Sequence, residues 1–422
     1  MQCERMTLAG DPGALAEELR ELVPAPESVR DQVAEIIARV RTSGDDALRY
    51  YTRQFDTGGS TPSALRVPEA ELDTAEAHLD PAVRAGLSRA IANVTRVAQA
   101  AVSGDRTVAF DGHEVRLREV AVQRAAVYVP GGRAPYPSTV VMGTIAARVA
   151  GVREIAVCAP PGPNGEVAAV VLGACRLAGA SVVYRMGGAQ AIAALAYGTE
   201  TVTPVDVIVG PGNLYVQEAK RQVFGTVGID GFAGPSDLVA IASGDGEVDP
   251  AALALDLLAQ AEHGPGSLVV AISTSAELID ALAERIAAAP ETGATVRLVQ
   301  VHEIEQALAI SEAFAPEHLQ LMGAEAERLA PEVRHAGCLL VGAVSGTAFS
   351  DYVAGSNHVL PTNAAARFAS ALSPLHFLRR FTEVRIGTGA GALARAAAPV
   401  ARAEGFELHA RSMEARIRNN GS

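Results

Sequence analysis

Residues 315–319, Ala315-Pro316-Glu317-His318-Leu319, set a carboxylate beside an imidazole between a proline and an apolar residue. Both side chains can take up and release protons, so the pair has the raw material for general acid–base chemistry. Ile304, Ala307, Leu308, Ile310 and Phe314 recur at near-helical spacing, which predicts a helix over 303–313. Leu319-Gln320-Leu321-Met322 reads as a short strand. Pro316 ends the helix, so Glu317 and His318 fall where helix gives way to strand. Neighbours entering a strand tend to point opposite ways, so the pair need not hydrogen-bond each other; two separate jobs is one reading, and a solvated Glu317 beside a half-buried His318 is the other.

Other stretches offer ligands. Gln260-Ala261-Glu262-His263-Gly264-Pro265 ends a helix that begins near Asp249-Pro250. Gln260 and His263, three apart, project from one face, and an amide oxygen and an imidazole nitrogen suit a metal with further O/N ligands. Taken alone, a helix-ending histidine is more often a cap for the helix dipole. Residues 350–362 form a polar run with Asp351, Tyr352, Asn357 and His358, expected to be a long loop and a site candidate. Glu404 and His409 add another acid and imidazole near the end of the chain. Three glycine-bearing turns, Pro130-Gly131-Gly132, Gly187-Gly188 and Gly210-Pro211-Gly212-Asn213, each follow a predicted strand. Such turns let backbone amides approach an anion at a helix start, so a phosphate-bearing cofactor is expected. Gly387-Thr388-Gly389-Ala390-Gly391-Ala392 matches a dinucleotide fingerprint in letters only. No second strand follows to close a βαβ unit, and the run is read as a turn.

The elements that must position these groups are those of an α/β protein. Strands are predicted at 125–130, 154–160, 181–186 and 205–209, alternating with helices, and again at 238–242, 267–273, 294–301 and 337–341. Continuous apolar strands between helices signal parallel, doubly wound sheets. Two such series imply two α/β domains, at 125–237 and 238–363. They are flanked by a helical N-terminal region, 1–124, and a helical tail, 364–422.

Composition agrees. The chain has 422 residues, 49% hydrophobic but only 4% aromatic and without Trp, so Ala, Val, Leu and Gly build the core. A net charge of −13 with no basic stripe argues against nucleic-acid binding. No apolar run reaches membrane-spanning length and no apolar signal core opens the chain, so a cytoplasmic protein is expected. Cys3, Cys158, Cys175 and Cys338 form no CxxC pair, and reduced buried thiols are the expectation. No P-loop, HExxH or GxSxG motif occurs.

Taken in order and spacing, the chain resembles the histidinol dehydrogenase family over nearly its whole length. The carrying stretches are Gly44-Asp45-Asp46-Ala47-Leu48, Thr52-Arg53-Gln54-Phe55-Asp56, Tyr128-Val129-Pro130-Gly131-Gly132, Gly187 to Ala193, Val209 to Asn213 and Ala233-Gly234-Pro235-Ser236. Gln260 to His263, Ala315 to Leu319, Asp351-Tyr352, Asn357 to Thr362, and Glu404 with His409 complete them. The resemblance implies a zinc-dependent homodimer with two incomplete Rossmann-like domains and swapped peripheral segments. It implies two NAD-linked oxidations of L-histidinol to L-histidine through the aldehyde, the last step of histidine biosynthesis. By the resemblance, Gln260, His263, Asp351 and His409 would bind zinc, His318 would be the general base and Glu317 would activate water. Ser236, His358 and Glu404 would hold substrate together with those ligands and His318, and Tyr128, Gln190 and Asn213 would contact NAD. Departures from the family's usual residues at Ser350, Asp237 and Asn363-Ala364 motivate one alternative, a zinc- and NAD-dependent dehydrogenase of another small polar alcohol.

Overall fold

The computed structural model describes residues 1–23, 29–60, 64–131, 134–232, 234–244 and 248–417. Gly132 and Ala233 lie outside the described residues. Two compact units are present, the first made of residues 1–101 and 122–377, the second of 102–121 and 378–422.

The chain opens with strand β1 (Glu4–Thr7), followed by long helices that include Arg30–Tyr51 and Pro81–Ala100. Helix Pro81–Ala100 starts cleanly because Asp80 accepts the Ala82 and Val83 amides and Pro81 sits in the first turn. Strands β2 (Arg106–Phe110) and β3 (His113–Ala121) follow as a hairpin around Gly112, whose φ of 78° needs glycine. Ahead of Arg124, the described residues therefore hold three strands besides the expected helices.

Strands β4 (Arg124–Tyr128), β5 (Glu154–Ala159), β6 (Val182–Arg185), β7 (Val207–Val209) and β8 (Gly228–Ile229) form a parallel sheet of order β6-β5-β4-β7-β8. Its order reverses between β4 and β7, the place where open α/β sheets leave a crevice. Strands β9 (Asp237–Ala242), β10 (Leu268–Ser273), β11 (Thr295–Gln300), β12 (His318–Met322) and β13 (Cys338–Val341) form a second parallel sheet. Its order is β1-β11-β10-β9-β12-β13, so β1 joins it at the edge, Glu4 opposite Arg297. Along β9, Leu238, Ala240 and Ala242 enter one core, and Val239 and Ile241 enter another. Both faces are covered by helices, which is why these strands are apolar throughout rather than alternating.

The second unit pairs β14 (Leu378–Ile386) with β3, and β3 with β2, in an antiparallel sheet of order β14-β3-β2. Helices Ala390–Ala403 and Glu407–Glu414 complete it, and the glycine run 387–391 is the turn and first helical residues after β14. One sheet face carries Val108, Phe110, Leu117, Val384 and Ile386, because antiparallel partners and alternate residues share a face. These five side chains are 45–56% exposed.

Candidate active site

The acid–base pair sits at the amino edge of the second sheet. Helix Ile304–Phe314 ends at Ala315, which takes a left-handed φ of 55° while its amide reaches the Ser311 carbonyl. This turn delivers Glu317 and His318 to the start of β12, beside β9. Across those neighbouring strands, the Asp237 amide donates to Glu317 Oε2 at 3.1 Å, and the Glu317 amide donates to Asp237 Oδ1 at 2.7 Å. The Ser236 hydroxyl also donates to Glu317 Oε2, and the Gln260 side-chain amide donates to Ser236 Oγ. Gln260 thus reaches the pair from the last turn of helix Pro250–Ala261, where it is buried.

His318 lies 3.7 Å from Glu317 Oε2 through Nδ1 and 3.3 Å from Asp351 Oδ1 through Nε2. Neither contact has hydrogen-bond geometry, and both ring nitrogens are buried without a hydrogen-bond partner among the described residues. Glu317 and His318 thus share no hydrogen bond, as their opposite aim on entering the strand allows. Asp351 Oδ1 is likewise buried and unpartnered. Asp351 comes from a short helix, Thr347–Tyr352, rather than from the expected loop.

Charge is concentrated here. Burial works against the His318 imidazolium, but Glu317, Asp351 and Asp237 outweigh it and raise the ring to about 9. Burial, then the charge of Glu317, pushes Asp237 up to about 8. Burial also raises Glu317, against the pull of His318. Asp351 goes the other way: burial raises it, but the contact with His318 and its charge leave it below its ordinary value. Cys338, at the start of β13, is held as a thiol mainly by burial. Cys158 and Cys175 are buried thiols raised by desolvation, as expected for core packing.

His358 is fully engaged inside the chain. Its Nδ1 bonds the Asp351 carbonyl oxygen at 2.8 Å, so Nδ1 carries the proton and Nε2 accepts from the Thr139 hydroxyl at 3.1 Å. Burial pushes this ring below the ordinary histidine value. Asn357 donates to the Met142 carbonyl at 3.1 Å. Thr139 and Met142 belong to the helix after β4, Pro137–Ala150, so these bonds tie the Asp351 segment to the first sheet. Sequence reasoning passed over Thr139, which is one ordinary threonine in a helical run. It registered Asp237 only as a departure from a family pattern.

The carboxyl ends of the first sheet open on a cavity of about 1270 Å³. Tyr128, Gly188, Gln190, Asn213, Asp56 and Arg39 are among its lining residues. The Gly188 amide donates to the Tyr128 hydroxyl at 3.1 Å at the start of helix Gly188–Tyr197. Gln190 Nε2 lies 3.4 Å from Asp56 Oδ2, and the Asn213 side chain caps helix Leu214–Val223 by accepting the Val216 amide. A side chain at Gly210 would meet the Tyr128 carbonyl oxygen at 2.2 Å, so glycine is required where these two strands' ends approach. Burial alone raises Asp56 to about 7. Asp56 follows Phe55 on a π-helical turn, Thr52–Asp56, a geometry with no signal in the residue types.

Of the donors expected for a metal, Gln260 and Asp351 lie at the amino edge of the second sheet, and His263 follows Gln260 by one turn, its amide on the Gln260 carbonyl. His409 lies on helix Glu407–Glu414 and Glu404 caps helix Ala390–Ala403, both in the second unit. No three His, Cys, Asp or Glu side chains form a metal-binding group among the described residues. No helix among them is long and apolar enough to cross a membrane.

Comparison with known proteins agrees with this geometry. The model of the family described as histidinol dehydrogenase matches residues 22–417. A histidinol dehydrogenase of Rhodospirillum rubrum is 43% identical over 409 residues, covering 93% of each chain. One from Pseudomonas aeruginosa is 42% identical, covering 93% of this chain and 91% of its own. The crystal structure of histidinol dehydrogenase from Elizabethkingia anophelis superposes with a TM-score of 0.90 at 29% identity, covering 100% of this chain and 99% of that one. A match that spans both sheets and the second unit leaves one conclusion: the chain belongs to the histidinol dehydrogenase family of oxidoreductases.

Proposed function

We propose that the chain oxidises L-histidinol to L-histidine through the aldehyde, with NAD as hydride acceptor and zinc as the substrate's anchor. The observation that carries this reading is the buried imidazole between two carboxylates, its ring nitrogens without hydrogen-bond partners among the described residues. His318, in its neutral form, takes the alcohol proton. Glu317, held by Ser236 and the Asp237 amide, takes a proton from the water that the aldehyde step consumes. Ser236 and His358 orient the substrate, His358 through its hold on the Asp351 backbone.

The zinc ligands in this reading are Gln260, His263, Asp351 and His409, and the buried, unpartnered Asp351 oxygen suits a cation. A zinc ion held by these residues would supply an anchor for the substrate nitrogens. NAD fits the cavity beside the first sheet: its size exceeds that of ordinary small-ligand pockets, and the Gly188 helix start favours a phosphate. Tyr128, Gln190 and Asn213 hold it there. Bound NAD supplies the hydride acceptor.

We assign Glu404 and His409 to the site of a second copy. The apolar face of the β14-β3-β2 sheet supports association, since exposed apolar patches mark contact surfaces. The four domain segments expected from the sequence are kept, with residues 364–422 as the exchanged part. The reading places the protein in the cytoplasm. The test is chelation of the purified protein. Activity on L-histidinol is expected to fall to background, to return with zinc, and to track the dimer fraction on dilution. A fully active monomer, or activity indifferent to chelation, contradicts the reading.

A further inference from the structure

Glu317 and Asp237 exchange backbone hydrogen bonds: each carboxylate accepts the other residue's amide, at 3.1 and 2.7 Å. Both residues are buried, 7% and 3% exposed. Two carboxylates so close and so dry do not both ionise readily. Glu317 has the stronger support for the charge, from the Ser236 hydroxyl, the Asp237 amide and the His318 ring 3.7 Å away. Burial and the charge of Glu317 leave Asp237 as the protonated member, raised to about 8. Asp237 thus offers Glu317 an acceptor for its amide without a second negative charge.

We propose that Asp237 is a positioning residue for Glu317: its carboxyl oxygen anchors the Glu317 amide and so aims the Glu317 carboxylate at the water used in the aldehyde half of the reaction. In that half, water oxygen bonds to the aldehyde carbon, one water proton passes to Glu317, and the carbonyl oxygen takes the proton that His318 carries, giving the hydrate. The hydrate loses hydride from carbon to the nicotinamide and a proton from oxygen, leaving the acid. The alcohol half consumes no water, so the defect of an Asp237 variant is confined to the second half. This inference rests on the reading of Glu317 as the water-activating group.

The experiment measures the two halves separately, with zinc-loaded full-length protein given L-histidinol or the aldehyde under single-turnover conditions. Zinc content, NAD affinity and thermal midpoint are recorded alongside. Asp237→Asn keeps the acceptor and is expected to stay within about 3-fold of wild type in both halves. Asp237→Ala orphans the Glu317 amide and slows the aldehyde half about 10- to 100-fold, with the alcohol half within about 3-fold. If the alanine variant does not fold, Asp237→Glu displaces the acceptor by one methylene and carries the test, with a smaller loss in the same half. Equal loss in both halves, or an asparagine variant as slow as alanine, overturns the inference. Glu317→Gln separates the two ideas. A Glu317→Gln protein that retains the aldehyde half removes the parent reading and the inference with it. A selective loss in Glu317→Gln without one in Asp237→Ala removes the inference alone.

Discussion

The two parallel sheets of the first unit put opposite edges to use. The first opens its cavity at the carboxyl ends of β4, β6 and β7, where glycine turns lead into helix starts such as Gly188. The second gathers Asp237, Glu317 and His318 at the amino ends of β9 and β12, where helices Pro250–Ala261 and Ile304–Phe314 terminate. Helix starts carry partial positive charge and suit phosphates, and helix ends carry partial negative charge and suit cations. On the proposed reading, the same layered fold serves a phosphate at one edge and a cation at the other. The first edge is roomy and held by backbone, while the second is packed and held by side chains. A large ligand needs space and amides, but proton transfer needs groups with nowhere else to go.

Substitutions on each edge sharpen this division. The largest effect is expected at the packed edge. His318→Ala should cut turnover about 10²- to 10⁴-fold while NAD affinity, measured by fluorescence titration, stays within about 2-fold. A parallel loss of NAD binding would erase the distinction between the edges. At the roomy edge, Tyr128→Phe removes the acceptor for the Gly188 amide. The KM for NAD should rise about 5- to 50-fold, the expected cost of an orphaned amide, with kcat within about 2-fold. A fall in kcat with unchanged KM would move Tyr128 into the chemistry.

A further effect concerns the roomy edge without ligand. Asp56 has a folded value of about 7 against an ordinary 3.8, set by burial. Its raised value favours the protonated form in the folded state. The stability it contributes is full below about pH 4 and is lost as pH climbs to 7. Asp56→Asn should therefore stabilise the ligand-free protein at pH 8 by roughly 2–4 kcal/mol at most, read as a higher thermal midpoint, and leave its stability unchanged near pH 4. A gain that is the same at both pH values would show that packing, not charge, is responsible.

The sequence was most legible where the chain repeats one pattern. Both strand series, and helix Ile304–Phe314 with its stop before Pro316, follow from apolar periodicity and proline. Strand β1 was not legible, because an edge strand of Glu-Arg-Met-Thr has no apolar run and exists only through its pairing with β11. The hairpin of β2 and β3 is half exposed, and its alternation of charged and apolar residues was absorbed into a helical region. At the site, residue types announced Glu317 and His318, but the Asp237–Glu317 exchange depends on the register of β9 and β12. Register is a tertiary property that no spacing along one strand encodes. Asp351 looked like a loop residue because the short helix Thr347–Tyr352 lacks a side-chain cap.

The central claim, that one buried acid–base pair serves two successive oxidations, is tested most directly by stoichiometry. NADH is counted against L-histidinol consumed by the zinc-loaded protein, with and without a chelator. Two NADH per L-histidinol, with L-histidine as product and no turnover after chelation, is the predicted result. One NADH per L-histidinol with accumulating aldehyde, or no turnover with zinc bound, would contradict it.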